Sequence, residues 1–262
     1  MHEREAAEQG LRYVYKLIDL DQLGADIEAL PELLTAASRM GFTGLNITHP
    51  CKQAIIPLLD ELSADARALN AVNTVVIRDG KLTGHNTDWS GFAEGFQRGF
   101  PDAKRDRVVQ LGAGGAGAAV AHAALTMGTT QLIVFDIDTA RSAALASSLC
   151  RRFGKGRAES GADLAAAMAG ADGLVHCTPT AMEKRPGMPL KAELLQSRHW
   201  IAEIVYFPLV TELLRVARAK GCRTLDGGGM AVFQAVEAFR LFTGLDANAA
   251  RMDAHFRQLV AK

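Results

Sequence analysis

Several features that would point to a function class are missing from this chain. Its 262 residues carry 29 basic and 29 acidic side chains without a block of one sign, which argues against nucleic acid or a membrane surface as the main partner. The four cysteines have no C-x-x-C spacing and the seven histidines no His-x-x-x-His spacing, so we expect no metal site. No apolar run approaches the ~20 residues that span a bilayer, and we expect no signal peptide. We therefore expect reduced thiols in a soluble cytoplasmic α/β protein.

The most specific pattern present is the run Val-Val-Gln-Leu-Gly-Ala-Gly-Gly-Ala-Gly at 108–117. Extended residues lead into glycines that fit Gly-x-Gly-x-x-Gly, and an Ala-rich helical stretch follows. The first glycine allows a tight turn, the second lets backbone approach a pyrophosphate, and the third lets the helix pack on the strand. The pyrophosphate would lie on the unpaired N–H groups of the helix start. The predicted cofactor loop is Gly112, Ala113, Gly114, Gly115, Ala116 and Gly117.

A second apolar run, at 131–135, ends at Asp136, nineteen residues after Gly117. A dinucleotide-binding fold places at that point the carboxylate that binds the adenosine ribose hydroxyls. The order of strand, turn, helix, strand and acid favours a dinucleotide loop over a glycine-rich turn without a ligand.

From Val108 onward, β-prone and helical segments alternate, which predicts a parallel sheet with right-handed crossovers. We predict strands at 108–111, 131–135, 173–176, 201–205 and 223–225. We predict helices at 115–127, 138–152, 161–169 and 211–220, and a helical tail at 229–243 and 247–260. The fold class is α/β, with one α/β domain made of residues 1–88 and 229–262 and a Rossmann domain at 89–228.

The first hundred residues follow no such regular alternation. The alternating pattern of Tyr13–Ile18 is β-prone, and Asn73–Leu82 predicts a hairpin that turns at Asp79-Gly80. Two helices separated near a proline are predicted within Leu23–Met40. A strand at Phe42–Ile47, a helix at Gln53–Leu62 and a connecting helix at Trp89–Phe100 complete the prediction.

Four short segments gather residues that suit a substrate with several hydroxyl groups. They are Gly44–Lys52, Asn70–Thr74, Gly84–Asp88 and Gly228–Gln234. Each substrate hydroxyl needs both a donor and an acceptor, which amides and hydroxyls supply, and a lysine–aspartate pair can move a proton.

At these segments the chain resembles the shikimate/quinate dehydrogenase family. The family patterns G-x-N-[VI]-T-x-P-x-K, [AG]-V-N-T, N-T-D-x-x-G, G-A-G-G-A-[GS] and G-x-x-M-x-x-x-Q are all present in order. The resemblance covers nearly the whole chain. It implies an N-terminal substrate domain, a C-terminal Rossmann domain and reversible hydride transfer between a nicotinamide and a polyhydroxy carboxylic acid, either shikimate or quinate. No heptad or apolar stripe distinguishes a monomer from a homodimer.

The resemblance also implies roles for single residues. Lys52 would exchange the proton of the reacting hydroxyl with Asp88 as its partner, although a surface salt bridge is the alternative. The residues implied to bind substrate are Thr48, Asn73, Tyr206 and Gln234; Tyr206, in the pattern Y-x-P-x-x-T, has a packed core tyrosine as its alternative. Asn46 is expected to shape its turn and Thr87 to cap the next helix. Further cofactor contacts are implied for Thr178, Ile204 and Gly227.

Family members that use NADP carry Asn-Arg-[Thr/Ser] after the second Rossmann strand, where the arginine meets the 2′-phosphate. This chain has Asp136, Ile137 and Asp138 there. Asp136 would accept hydrogen bonds from both ribose hydroxyls and repel a phosphate, while Ile137 supplies no compensating charge. Asp138 adds a second negative charge or caps the next helix, and Arg141 can neutralise part of it. The balance favours NAD over NADP and resembles the quinate-oxidising branch of the family.

The chain departs from the family in two places. Ala181 replaces a glycine in [NC]-T-P-x-G-M, which would displace that loop if the position needs positive φ. Only His2 represents S-x-S-P-x-x-H-N, so the two serines that hold the substrate carboxylate are missing, together with hydrogen bonds worth ~1.5–3 kcal/mol each. We expect a mis-assigned start codon or a shortened homologue. The chain as given should bind cofactor normally and acidic polyols poorly.

Three hypotheses remain open from the sequence. The first is an NAD-dependent quinate/shikimate dehydrogenase. The second is a related dehydrogenase that acts on an amino- or otherwise modified shikimate, which a substrate profile would reveal. The third is a non-catalytic nucleotide-binding regulator, which would bind NAD without turning over any hydroxy acid. A methyltransferase would leave Lys52 and Asp88 unexplained.

Overall fold

The computed structural model describes residues 1–183 and 185–260, which divide into two compact units. The first unit comprises Met1–Thr87 and Gln234–His255. The second comprises Asp88–Phe233 and the chain from Phe256 onward.

The first unit contains a four-stranded sheet and short helices. Its strands are β1 (Gly44–Asn46), β2 (Glu61–Leu62), β3 (Thr74–Arg78) and β4 (Lys81–His85), in the order β1-β3-β4-β2. Its helices are α1 (His2–Glu8), α2 (Leu20–Leu23), α3 (Leu30–Arg39), α4 (Cys51–Ala54) and α5 (Ala64–Leu69). The predicted hairpin of β3 and β4 is confirmed, since Asp79 and Gly80 have the two positive φ values, 51° and 76°, of a type I′ turn.

Other predictions for this unit are wrong. Tyr13–Ile18 forms no strand, and its alternating pattern buries no continuous face, because Val14 is 81% exposed. Gln53–Leu62 is a 3-10 turn at Ile56–Leu58 between the end of α4 and β2, since Pro57 lacks the N–H that would continue a helix. The first helix of the pair predicted within Leu23–Met40 does not form, because α2 ends at Leu23 and only the 3-10 turn Ile27–Ala29 precedes α3. The helices α1 and α5 were not predicted.

The proline within Leu23–Met40 begins a helix and does not separate two long ones. Pro31 lies in the first turn of α3, where a backbone N–H would have no partner within the helix. The break comes earlier, at Gly24, which ends α2 in the left-handed conformation, and Asp26 then caps a 3-10 turn at Ile27–Ala29.

The second unit is built on a six-stranded sheet, which is parallel as the sequence predicted. Its strands are β5 (Arg107–Leu111), β6 (Gln131–Phe135), β7 (Ala158–Ser160), β8 (Gly173–His176), β9 (Trp200–Glu203) and β10 (Arg223–Leu225). The strand order is β10-β9-β8-β5-β6-β7. All five predicted strands are confirmed within two residues, whereas β7, whose Ala-Glu-Ser sequence has no apolar alternation, was missed.

The helices of the chain from residue 88 onward also follow the predicted order. They are α6 (Asp88–Gly99), α7 (Gly115–Thr126), α8 (Thr139–Phe153), α9 (Leu164–Ala169), α10 (Glu212–Ala219), α11 (Gly228–Thr243) and α12 (Ala249–Val260). The strand order reverses at β5, which has β6 on one side and β8 on the other. In an open parallel sheet, ligands bind outside the carboxyl ends of the strands at such a reversal.

The sheet is buried on both faces. Neighbouring residues of β5 enter different apolar layers, with Val108 in one and Val109 in the other. One layer ends in an aromatic cluster in which Trp200 lies 4.8 Å from Phe96, measured between ring centroids. Gly173 pairs with Trp200 across β8 and β9, and a Cβ atom at residue 173 would collide with the indole ring.

We therefore expect Gly173→Ala to lower the free energy of unfolding by about 1–3 kcal/mol, since the added methyl overpacks a filled layer. Urea denaturation measures the loss. Gly170→Ala is the matched control, because a Cβ there would meet only the Arg107 guanidinium at 3.4 Å, the flexible end of a side chain. Equal losses in both variants would contradict this account of the core.

Candidate active site and cofactor loop

The glycine loop joins β5 to α7 through two close backbone approaches. Gly112 has φ 102°, and a Cβ atom there would lie 2.5 Å from the carbonyl oxygen of Cys177. A Cβ atom at Gly117 would collide with the carbonyl group of Gly112. Both positions need glycine for the fold itself, one for its backbone conformation and one for contact between helix and loop.

Gly114 and Gly115 differ, because a Cβ atom at either position would meet no other atom within 4 Å. Packing within the protein therefore does not explain these two glycines. They lie at the start of α7, where Gly114 is the N-cap and no side chain caps the helix. Exposed N–H groups and bare backbone at a helix start fit the approach of a pyrophosphate.

Gln110 braces this loop from inside the sheet. It is fully buried on β5, and its Nε2 donates to the carbonyl oxygens of Gly112 and Gly117, at 2.8 Å each. One amide therefore holds the beginning and the end of the loop at a fixed separation. Gln110 was not predicted to have a role from the sequence, although a glutamine within an otherwise apolar strand is a signal of one.

Asp136 follows β6 beside the loop. Its Oδ2 accepts the Ala113 N–H at 2.7 Å and its Oδ1 accepts the Asp138 N–H at 2.9 Å. Arg141 lies 3.7 Å from Asp136 and 3.5 Å from Asp138. Asp138 also accepts the N–H groups of Ala140 and Arg141, so it caps α8, as the alternative for this residue predicted.

Three segments follow β8, β9 and β10 at the carboxyl edge of the sheet. The Thr178 hydroxyl lies 2.5 Å from His176 Nε2, and Ile204 directly follows β9. A Cβ atom at Gly227 would lie 2.5 Å from the carbonyl oxygen of Ile204, so that position also needs glycine. Tyr206 is 52% exposed, which excludes the packed core tyrosine.

Ala181 adopts the conformation expected of the glycine that it replaces. Its φ is 75° and its side chain is buried. The left-handed conformation costs an L-residue roughly 1–2 kcal/mol. The segment thus keeps positive φ at this position with alanine present.

In the first unit, a series of hydrogen bonds runs from Tyr15 through Asn73 to Thr87. The Tyr15 hydroxyl donates to Asn46 Oδ1 at 3.1 Å, and Asn46 Nδ2 donates to Thr74 Oγ1 at 3.3 Å. The Thr74 hydroxyl donates to Asn73 Oδ1 at 3.1 Å, and Asn73 Nδ2 donates to Thr87 Oγ1 at 2.9 Å. Burial raises the pKa of Tyr15, which keeps its hydroxyl protonated and able to donate. These hydrogen bonds orient the amide of Asn73.

The other predicted residues take different positions. Thr48 is exposed in the turn before α4, and Lys52 is half-buried on α4. The Lys52 carbonyl accepts the Val72 N–H at 2.8 Å, which fixes α4 beside the segment that carries Asn73. Gln234, on α11, is half-buried in the same unit. Asp88 is buried at the first residue of α6 and belongs to the second unit.

Two families match the chain by their sequence profiles. The shikimate dehydrogenase substrate binding domain matches residues 1–75, and the shikimate 5'-dehydrogenase C-terminal domain matches residues 227–255. A shikimate dehydrogenase (NADP(+)) of Arthrobacter sp. (strain FB24) is 60% identical over 263 residues, covering 100% of this chain and 90% of the relative. The chain belongs to the shikimate dehydrogenase family.

Relatives within the shikimate dehydrogenase family carry different cofactor names. A quinate/shikimate dehydrogenase (NAD(+)) of Corynebacterium efficiens is 51% identical, covering 99% of this chain and 92% of the relative. Among solved structures, quinate dehydrogenase from Corynebacterium glutamicum in complex with NAD superimposes with a TM-score of 0.92 at 49% identity, covering 98% of this chain and 92% of that one. This family member is thus an oxidoreductase with a Rossmann-type nucleotide-binding unit. No helix in residues 1–183 and 185–260 could cross a membrane.

For this shikimate dehydrogenase family member, we expect Gln110→Met to raise the Kd for the dinucleotide about tenfold. Methionine keeps the volume but donates no hydrogen bond, so the Gly112 and Gly117 carbonyls lose their shared partner and the loop loosens. Titration calorimetry with NAD measures the effect. Gly173→Ala, in the same unit, controls for lost stability. An unchanged Kd in Gln110→Met would contradict the bracing role.

Proposed function

We propose that this protein is a cytoplasmic NAD-dependent dehydrogenase that interconverts shikimate with 3-dehydroshikimate and quinate with 3-dehydroquinate. The observation that carries the proposal is the bare backbone of Gly114 and Gly115 at the uncapped start of α7, in a chain of this family. These glycines fit a dinucleotide because a Cβ atom at either residue would project into the space that a pyrophosphate needs. When bound, the nicotinamide takes up or returns the hydride of the reacting carbon.

The chain must then manage the proton of the reacting hydroxyl. We assign this proton to Lys52, which accepts it as the carbonyl forms and returns it in the reverse reaction. Asp88 acts with Lys52 by balancing the charge of the ammonium group that forms when the Lys52 amine takes up the proton. The half-buried position of Lys52 and the burial of Asp88 suit groups that work away from bulk water.

The remaining predicted residues would orient the ring. Asn73, whose amide is fixed by the hydrogen-bond chain from Tyr15, would hold one ring hydroxyl. Thr48 and Gln234 would hold others, and the exposed Tyr206 would line the substrate side of the nicotinamide. A ring with several hydroxyls matches a set in which amides and hydroxyls predominate, since each group both donates and accepts.

We propose NAD as the preferred cofactor on local charge. Asp136, Asp138 and Arg141 together leave one net negative charge where the adenosine ribose would lie. A 2′-phosphate would add further negative charge there. Ile137, whose side chain is fully exposed, occupies the position from which a cation would meet that phosphate.

The first test is Lys52→Ala, for which we expect kcat for shikimate or quinate oxidation to fall by about 10²- to 10⁴-fold, because no group takes up the proton. Nicotinamide absorbance follows the reaction, and NAD binding should not change. Lys81→Ala, which removes an exposed ion pair with Glu61, is the matched control and should retain full activity. Normal turnover in Lys52→Ala would contradict the assignment, while NAD binding without turnover of any hydroxy acid in the native chain would favour a regulator.

The second test is the double variant Ile137→Arg/Asp138→Ser, which supplies a guanidinium and removes one carboxylate while the serine keeps the helix cap. We expect the ratio of kcat/KM for NADP to that for NAD to rise by about tenfold or more, which corresponds to ~1.4 kcal/mol. Asp138→Ser alone separates the two changes. A native enzyme that prefers NADP, with the preference lost in Arg141→Gln, would show that Arg141 binds the 2′-phosphate.

A further inference from the structure

A buried polar network joins the ends of β8 and β9 in the second unit. His176 and Glu203 are paired in register at the last residues of the two strands, and each is at most 2% exposed. His176 Nδ1 lies 2.9 Å from both carboxylate oxygens of Glu203. A histidine and a glutamate in an apolar layer are costly unless their hydrogen bonds are satisfied, so this network needs an explanation.

The partners of Glu203 determine which nitrogen of His176 carries hydrogen. The Val205 N–H, which can only donate, lies 3.0 Å from Oε1. The Thr211 hydroxyl accepts the Leu214 N–H and donates to Oε2 at 3.1 Å. An ionised carboxylate accepts all of these bonds, so the third donor facing it is Nδ1–H of His176. In the neutral ring, Nε2 is then an acceptor.

The acceptor Nε2 controls the hydroxyl of Thr178. At 2.5 Å it accepts a hydrogen bond from the Thr178 hydroxyl, in the same order of hydroxyl, imidazole and carboxylate as in a hydrolytic triad. The Thr180 N–H donates to the same Thr178 oxygen at 3.3 Å. With its single proton committed to His176, the Thr178 hydroxyl can offer a ligand only a lone pair.

Thr178 lies where the nicotinamide half of a dinucleotide would be bound. A Cβ atom at Gly112 would be 3.1 Å from Thr178 Cγ2, so the residue adjoins the glycine loop. It follows β8, on the side of β5 opposite to β6 and Asp136, where the second nucleotide half of a Rossmann fold lies. A lone pair there repels phosphate oxygens and attracts donors, of which the nicotinamide nucleoside has two, its carboxamide NH₂ and its ribose hydroxyls.

We propose that the His176–Glu203 pair is a positioning device that makes Thr178 an obligatory hydrogen-bond acceptor for the nicotinamide nucleoside. Thr178 contacts the cofactor, and His176 acts through it by fixing the direction of its hydroxyl. The device thereby selects one orientation of the nicotinamide nucleoside before substrate binds. This inference rests on the proposed function in that it takes a nicotinamide dinucleotide as the ligand.

The test compares dissociation constants, so it needs no turnover and fails separately from the dehydrogenase proposal. NADH and its 3-acetylpyridine analogue, which lacks the NH₂ group, are titrated by fluorescence and calorimetry, as is an analogue without the nicotinamide ribose 2′-hydroxyl. The native protein should bind one of the two analogues about threefold to tenfold more weakly than the natural cofactor, the range of one hydrogen bond. The analogue that is weakened identifies the donor.

Three variants test whether Thr178 and His176 cause this discrimination, which is the difference in Kd between the cofactor and the weakened analogue. Thr178→Val, which has the same shape without the hydroxyl, should bind cofactor and analogue equally well. His176→Leu should also lose the discrimination, because the Thr178 hydroxyl no longer has an acceptor that fixes its direction. His176→Gln should retain the discrimination, since an amide can donate to Glu203 and accept from Thr178. Thr180→Val is the matched control and should behave as native.

Three outcomes would overturn the proposal. Equal discrimination in native protein and Thr178→Val would show that Thr178 accepts no donor from the cofactor. Full discrimination in a folded His176→Leu, with loss in Thr178→Val, would show that the contact exists without control by His176. If His176→Leu does not fold, loss of discrimination in His176→Gln overturns the role of the imidazole acceptor.

Discussion

The close approach of backbone to backbone at the glycine loop is the constraint on which the second unit depends. Gly112 meets the carbonyl group of Cys177, and Gly117 meets the carbonyl group of Gly112, at separations that leave no room for a side chain. Because β5 lies at the reversal of the strand order, this contact fixes α7 against the sheet and sets the segment after β8 beside the loop. The same backbone geometry forms the helix start at which we propose that a pyrophosphate binds.

Buried polar side chains hold this geometry in place. Gln110 ties two carbonyl groups of the loop, Asp136 accepts the Ala113 N–H of the loop, and Glu203 accepts the Val205 N–H of the segment after β9. In each case a side chain at or near the end of a strand satisfies backbone groups that have left the sheet. Such groups would otherwise be unpaired in a poorly hydrated region, which costs roughly 1–3 kcal/mol each. The carboxyl edge of the sheet is therefore ordered by side chains before any ligand binds.

Side chains also order the first unit, although its secondary-structure elements are shorter. Its strands are two to five residues long, and the amide of Asn73 is oriented by side chains from three separate segments. Short elements give little periodic signal, which is why the two-residue strand β2 and the six-residue helix α5 were missed. The hairpin at Asp79-Gly80 was predictable because positive φ at both turn positions is written in the residue types.

The sequence by itself determined the parallel sheet, the glycine loop and Asp136, because each depends on local pattern: apolar runs of fixed length, glycines at fixed spacing, and a carboxylate at a strand end. Motifs spread along the whole chain also indicated the family. Only the tertiary structure decided what Gln110, His176, Glu203 and Tyr15 do. Their partners lie on other segments, as Glu203 does for His176, twenty-seven residues along the chain. The spacing of residues in the sequence does not predict which strand ends become neighbours. Burial then decides whether such polar side chains must form hydrogen bonds with each other.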